Sequence, residues 1–167
     1  MGVYLGSEAV KFNGVFMKSE EGAIVSQILQ KTISGVYSNS RITQVGDCAF
    51  TFCMSLTSVN LPQVTTIGSN AFYNCSSLTP ISLPQVTSIG NSAFAYCKLL
   101  TSISLPQVTS IGSNAFYNCS SLTSISLPQA TIIGDYAFNY CSSLTSVNLP
   151  QVTSIGSYAF QYCSSLT

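Results

Sequence analysis

The chain has no histidine and no tryptophan, and only 6% of its 167 residues are charged, against about 25% in an ordinary soluble domain. Without histidine, the usual general base and the commonest metal ligand at neutral pH are missing. The scarcity of charge excludes more. Five Lys/Arg balance five Asp/Glu to a formal charge of zero, so there is no basic stripe to meet nucleic acid or an anionic membrane. From Gly46 to Thr167 the charged residues are Asp47, Lys98 and Asp135 alone. Long apolar runs are also missing. Mean hydropathy is +0.39, yet the longest unbroken run is Ala93-Phe94-Ala95-Tyr96-Cys97, far short of the roughly 18 residues that suggest a membrane span. No membrane insertion is expected. The N-terminus lacks the pattern of a secretory signal, because Glu8 and Lys11 interrupt any apolar stretch. Myristoylation at Gly2 is disfavoured because Gly6 fills the position that needs Ser or Thr, and Ser7 comes one place late.

What is present is hydrophobic residues, 46% of the chain, enough for one domain with a continuous core. They recur with a fixed period. Ala-Phe stands at 49-50, 71-72, 93-94, 115-116, 137-138 and 159-160, with Cys following at 53, 75, 97, 119, 141 and 163, always 22 residues apart. Leu-Pro-Gln recurs at 61-63, 83-85, 105-107, 127-129 and 149-151. One unit reads Leu-x-x-Ile-x-Leu-Pro-Gln-Val-x-x-Ile-Gly-x-x-Ala-Phe-x-x-Cys-x-x. Its apolar spacing shifts from two to three, which neither a long helix nor a long strand would keep up, whereas a coil with corners would. The alternation Ile125/Leu127 predicts a short strand ended by Pro128, which removes a ladder donor. Stacked units would align such strands into a parallel sheet. Val108-Thr109-Ser110-Ile111 predicts a second extended edge, with Gly112 at a corner needing unusual backbone angles. Asn114-Ala115-Phe116-Tyr117-Asn118-Cys119 fits one helical or 3₁₀ turn with Ala, Phe and Cys inward. A single unit cannot bury this edge alone, so stability must come from stacking. Five to six coils would measure roughly 25–30 Å.

Residues 1–41 read as an N-terminal arm and α/β capping segment, and 42–167 as the solenoid, about five and a half units long. Ile42 and Val45 already lie 22 residues ahead of Val64 and Ile67. Ser19-Glu20-Glu21, followed by Ile24, Val25, Ile28, Leu29 and Lys31, predicts a capped amphipathic helix over the first coil. Val3-Tyr4-Leu5, Val10-Lys11-Phe12 and Val15-Phe16-Met17 predict short strands of a hairpin or arm. At the other end Leu166-Thr167 repeats Leu144-Thr145. The expectation there is an uncapped coil, continued by more chain, covered by a partner, or covered end to end by another copy.

Written out in this way, the unit resembles the BspA-like, or Treponema-type, leucine-rich repeat, over Ile42 to Thr167. The resemblance implies a curved leucine-rich-repeat solenoid with short parallel strands on one face. It also implies a role like that of family members displayed on bacterial and protist surfaces, which adhere to host proteins or other cells. Similar repeats occur in phage tail-associated proteins, and Val3-Tyr4-Leu5-Gly6-Ser7 with Val10-Lys11-Phe12 resembles leaders found on those. The period is one residue off the commoner family length.

Catalysis needs a nucleophile beside a base, paired carboxylates, or a metal. Asp47 and Asp135 lie four units apart, about 20 Å by coil stacking, and the serines have no activating neighbour, so neither an enzyme nor a cofactor site is expected. Six of the seven cysteines form one buried column, with no Cys-x-x-Cys and no histidine, which lacks zinc spacing and fits packed thiols. Cys48 lies outside that column, where other units carry Asn70, Ser92, Asn114, Tyr136 and Tyr158; it should be the most exposed thiol. Asn74-Cys75-Ser76 and Asn118-Cys119-Ser120 fit the glycosylation pattern as by-products of the repeat.

Two surfaces remain as candidates for binding a protein or glycan. The outward strand positions Ser58/Asn60, Pro80/Ser82, Ser102/Ser104, Ser124/Ser126 and Ser146/Asn148 form an uncharged ladder suited to wet polar contacts. The Ala-Phe corner presents Thr51/Phe52, Tyr73/Asn74, Ala95/Tyr96, Tyr117/Asn118, Asn139/Tyr140 and Gln161/Tyr162, joined by Tyr136 and Tyr158. Tyr with Ser, Asn and Gly on a rigid frame is the composition of paratopes; the plainer reading is that the rings merely cover the coil. Three roles stay open at this stage: a recognition module, a phage tail or fibre component, and a structural spacer in a longer repeat protein.

Overall fold

The computed structural model describes residues 3–5, 8–10, 24–25 and 33–167. It is a solenoid of parallel β-strands. In chain order the strands are β1 Val3–Leu5, β2 Glu8–Val10, β3 Ile24–Val25, β4 Gly35–Ser38, β5 Gln44–Val45, β6 Leu56–Asn60, β7 Thr66–Ile67, β8 Ile81–Ser82, β9 Ser88–Ile89, β10 Ile103–Ser104, β11 Ser110–Ile111, β12 Ser124–Ser126, β13 Ile132–Ile133, β14 Ser146–Asn148 and β15 Ser154–Ile155.

The longest ladder lies on the Val-x-x-Ile edge: a seven-stranded sheet in the order β15-β13-β11-β9-β7-β5-β3. The Leu-x-x-Ile-x-Leu edge, expected to form the parallel sheet, instead gives three separate two-stranded sheets, β4-β6, β8-β10 and β12-β14. Backbone bonds still cross it, such as Thr79 N–H to Thr57 O (2.9 Å) and Leu83 N–H to Ser104 O (3.1 Å). Proline follows each Leu there, so the run of consecutive donors that a longer strand requires is cut short. The exposed Thr column of the other edge adds a side-chain ladder. Thr65, Thr87, Thr109, Thr131 and Thr153 each donate Oγ1 to the backbone carbonyl of the equivalent Thr one coil earlier, at 3.1–3.3 Å.

The Ala-Phe segment is not a helical turn. Ala49, Thr51 and Cys53 donate their N–H groups within the coil, to Gly46, Cys48 and Phe50, while Cys48, Phe50 and Phe52 donate to Ser69, Ala71 and Tyr73 of the next coil. Alternate donors therefore point along the solenoid axis, a pattern no helix can have. The third residue of two of these turns lies at positive φ, 58° at Cys48 and 60° at Phe52, as a type II turn requires. The same two positions are left-handed in every coil through Tyr158 and Tyr162.

Gly112 is explained by contact, not by its backbone angles. Among the described residues Gly35 is the glycine with positive φ. A Cβ on Gly112 would lie 2.7 Å from the Gly90 carbonyl carbon, so the coils meet too closely at this corner for any side chain.

The core is a set of axial columns. Phe50, Phe72, Phe94, Phe116, Phe138 and Phe160 stack with centroids 4.9–5.3 Å apart and planes within 6° of parallel. Tyr37 sits edge-on against Phe50 at 4.9 Å. Beside them runs the cysteine column, buried as expected. Its thiols donate back to phenylalanine carbonyls: Cys75 to Phe50 (3.0 Å), Cys97 to Phe72 (3.2 Å), Cys119 to Phe94 (3.1 Å). Cys48 is half-buried, the most accessible of the seven.

Upstream, β1 and β2 pair antiparallel with Leu5 opposite Glu8. Lys11, Phe12 and the Val15–Met17 segment lie outside the described residues. The helix expected over 19–31 is not present at Ile24–Val25. This β-branched pair is a strand in register with Gln44–Val45, adding a rung where the sequence suggested a lid; the rest of that segment lies outside the described residues. Strand β4 pairs with β6 at a spacing of 22, as in Val36 opposite Ser58. The stacked coils thus begin upstream of Ile42.

Candidate functional site: an aromatic ladder on the turn face

The turn face carries one outward aromatic ring per coil, in an unbroken series: Phe52, Tyr73, Tyr96, Tyr117, Tyr140 and Tyr162. Neighbouring centroids are 5.5, 5.4, 5.4, 5.7 and 4.5 Å apart. The rings do not share one sequence position. Tyr73 and Tyr117 directly follow the core Phe, whereas Phe52, Tyr96, Tyr140 and Tyr162 stand one residue later, so the spacing alternates between 21 and 23 until the last step of 22. Geometry follows that alternation. The first four contacts are edge-on, with planes 62–80° apart. Tyr140 and Tyr162, which occupy the same position, stack at 25°.

The alternation is part of a 44-residue period laid over the 22-residue one. Two places after the second-edge Ile, the chain reads Asp47, Ser69, Asn91, Ser113, Asp135, Ser157. Each Asp or Asn accepts the backbone N–H of the Ser one coil on: Asp47 from Ser69 at 2.6 Å, Asn91 from Ser113 at 2.9 Å, Asp135 from Ser157 at 2.7 Å. Both carboxylates of the solenoid are thus committed to holding backbone. In these same coils the residue after the core Phe is small or polar and buried: Thr51, Ala95 and Asn139. Thr51 Oγ1 donates to Asn70 O at 2.5 Å, and Asn139 Nδ2 to Tyr158 O at 3.4 Å and to Gln161 Oε1 at 3.0 Å. Listing the residues column by column would have revealed this longer period in the sequence.

Backbone conformation sharpens the picture. Phe52, Tyr96, Tyr140 and Tyr162 have φ between 60° and 63°, where the alternate coils place Asn74 and Asn118 at 56° and 55°. Asparagine tolerates this region, and bulky residues do not. That explains the two glycosylation-like triplets, whose Asn serves the turn. Tyr136 and Tyr158 occupy the other left-handed column at 55° and 57° and stack at 5.2 Å.

Ala95 leaves a gap where Thr51 and Asn139 place a polar head. Around it lies an open depression of about 410 Å³, lined by Tyr73, Tyr96, Tyr117 and Tyr136 together with Ser92 and Asn114. Partial burial, together with the phenols of Tyr96 and Tyr140 alongside, raises the Tyr117 hydroxyl above the ordinary tyrosine pKa.

The other candidate surface is a separate row on the Leu edge. Asn60, Ser82, Ser104, Ser126 and Asn148 are exposed and Ser58 is half-buried. Asn60 Nδ2 donates to Ser38 Oγ (3.3 Å) and Asn148 Nδ2 to Ser126 Oγ (3.1 Å). Among the described residues, no group of three or more His, Cys, Asp or Glu is arranged to hold a metal ion, and no helix is long and apolar enough to cross a membrane.

Two solved structures share this architecture. A leucine-rich cell surface protein from Faecalibacterium prausnitzii is 28% identical with a TM-score of 0.72, the match covering 97% of this chain and 54% of that one. The leucine-rich repeat protein of T. pallidum is 28% identical with a TM-score of 0.66, covering 79% of this chain and 78% of that one. The chain therefore spans about half the length of the F. prausnitzii protein. No curated protein sequence matches it. The family model of the BspA type leucine-rich repeat region matches residues 29–130 in six copies, and with that match the chain belongs to the BspA-type leucine-rich repeat family.

Proposed function

We propose that this chain is a non-catalytic, adhesion-type recognition module of a cell-surface protein, and that it binds a protein or glycan through the aromatic ladder. One observation carries the reading. Four exposed or half-buried aromatics stand at left-handed backbone positions that cost a bulky residue about 1–2 kcal/mol each, while the alternate coils fill the same position with Asn. Folding gains little from that choice. Exposed edge-on ring contacts return only about 0.5–1.5 kcal/mol, so the two terms nearly cancel, and ligand contact is the remaining reason to keep rings there. Tyr with Ser and Asn on a rigid scaffold supplies large contact area at low entropy cost. The cell-surface description of the F. prausnitzii protein supports display outside the cell. The two carboxylates, each bonded to a backbone amide, support a non-catalytic role.

The test is the triple variant Phe52→Asn, Tyr96→Asn, Tyr140→Asn, which copies Asn74 and Asn118. Labelled protein is applied to arrays of immobilised extracellular proteins and of defined oligosaccharides. Wild type should bind a subset, and the variant should lose that binding at least about tenfold with an unchanged melting temperature. Retained binding, or a melting temperature that falls by many degrees, would mean the rings only cover the coil.

A further inference from the structure

Resting on that reading of the ladder, we infer that its ligand is an uncharged, extended β-1,4-linked polysaccharide, seated with one pyranose in the depression over Ala95. Charge comes first. Across residues 33–167 the charged side chains are Arg41, Asp47, Lys98 and Asp135, and none lines the depression. A charged partner would lose its water there without gaining a counter-charge.

The lining chemistry narrows the class. A pyranose presents C–H groups on its faces and hydroxyls around its edge. The depression offers tyrosine rings for the former, with Ser92 and Asn114 in its lining for the latter. An open, shallow site of this kind suits a ligand that keeps much of its hydration and bonds partly through water.

The period supplies the linkage. Each coil advances about 4.8 Å along the axis, close to the advance per sugar in an extended β-1,4 chain. Successive sugars in such a chain are flipped, so its true repeat is two residues. As far as Tyr140 the ladder shares that two-step repeat: ring attachment alternates between two positions from coil to coil, and successive rings meet edge-on. An α-linked chain curls and would fall out of step within a few coils. An extended peptide also alternates every second residue, but it advances only about 3.3 Å per residue and falls out of step with coils about 4.8 Å apart.

The whole chain would be titrated by calorimetry with β-1,4-linked hexamers of glucose and of N-acetylglucosamine, with the α-1,4-linked glucose hexamer as comparison. One β-linked hexamer should bind, more tightly than its dimer and at least about tenfold more tightly than the α-linked hexamer. Ala95→Asn, which copies the buried Asn139, should fill the depression and weaken binding about tenfold at unchanged melting temperature. Tyr117→Ser should do the same by removing a wall. The inference is overturned if neither β-linked hexamer binds, if the α-linked one binds equally, or if both variants bind as wild type does. Ladder-dependent binding to array proteins with no response to any sugar would overturn this inference and leave the proposed function standing. Binding that survives the triple Asn variant would remove both.

Discussion

Two aromatic columns run side by side along this molecule with nearly the same spacing, and they obey opposite rules. The inner phenylalanines never leave their position, and their planes stay within 6° of parallel. The outer rings change position from coil to coil and meet mostly edge-on. Inside, the rings from Phe50 to Phe138 are fully enclosed, so the only geometry compatible with their neighbours is a copy of themselves. Outside, packing imposes no such identity, and the positions used are costly for the backbone. The contrast separates what folding requires from what it merely tolerates.

The largest effect should come from the inner column. Phe94 is fully buried between Phe72 and Phe116, at 5.1 and 5.3 Å. Phe94→Ala should cost about 3–5 kcal/mol, read from urea unfolding. Because a solenoid is coupled mainly between neighbouring coils, a second, lower transition should appear as the two halves uncouple. A cost for Phe94→Ala no greater than that for a ladder tyrosine would erase the distinction between the columns.

The thiol column beside it should show the same dependence on enclosure. Burial raises the Cys53 thiol to about 11, and pushes Cys75, Cys97, Cys119, Cys141 and Cys163 up as well, with neighbouring thiols adding to burial at Cys75, Cys97, Cys119 and Cys141. The folded state therefore holds these protons more tightly than the unfolded chain, whose thiols titrate near 9. Their contribution is complete below about pH 9 and is lost as pH rises through 9 toward 11 and beyond. The urea midpoint should accordingly fall between pH 8 and pH 10. A Cys97→Ala, Cys119→Ala variant should fall less steeply. Under native conditions at pH 8, alkylation should label Cys48 well before the six column thiols. Equal labelling of all seven would show that the column is open.

Much of this was legible in the sequence, for a physical reason. A repeat that stacks on itself must present the same buried residue in every coil, so Phe50 to Phe160 and Cys53 to Cys163 announce the core by recurrence alone. Conformation was less legible. Gly112 reads as a corner glycine, and only the approach of Gly90 shows that the neighbouring coil, not φ, demands it. The Ala-Phe turn has the local spacing of a helical turn, but every second N–H is taken by the next coil, a long-range partner that no local window contains. Ile24–Val25 read as helix because a short apolar run fits both periods, and pairing with Gln44–Val45 decided it. The candidate tyrosines were visible, but their order was not. That Tyr73, Tyr96, Tyr117 and Tyr140 form one ladder depends on an offset of a single residue that alternates between coils.

The smallest effect tests the backbone argument directly. At Tyr96, φ 63°, Ala and Asn both remove the ring and its contacts with Tyr73 and Tyr117. They differ in how well they tolerate the left-handed region. Tyr96→Ala should lose about 1 kcal/mol, because the ring contacts go and the strain remains. Tyr96→Asn should lie within about 0.5 kcal/mol of wild type, since relief of strain offsets the lost contacts. The gap between the two variants in urea unfolding isolates the backbone term, free of ring packing. If Asn is no better than Ala, the left-handed positions carry no penalty, and the aromatic residues on them are no longer evidence of selection for binding.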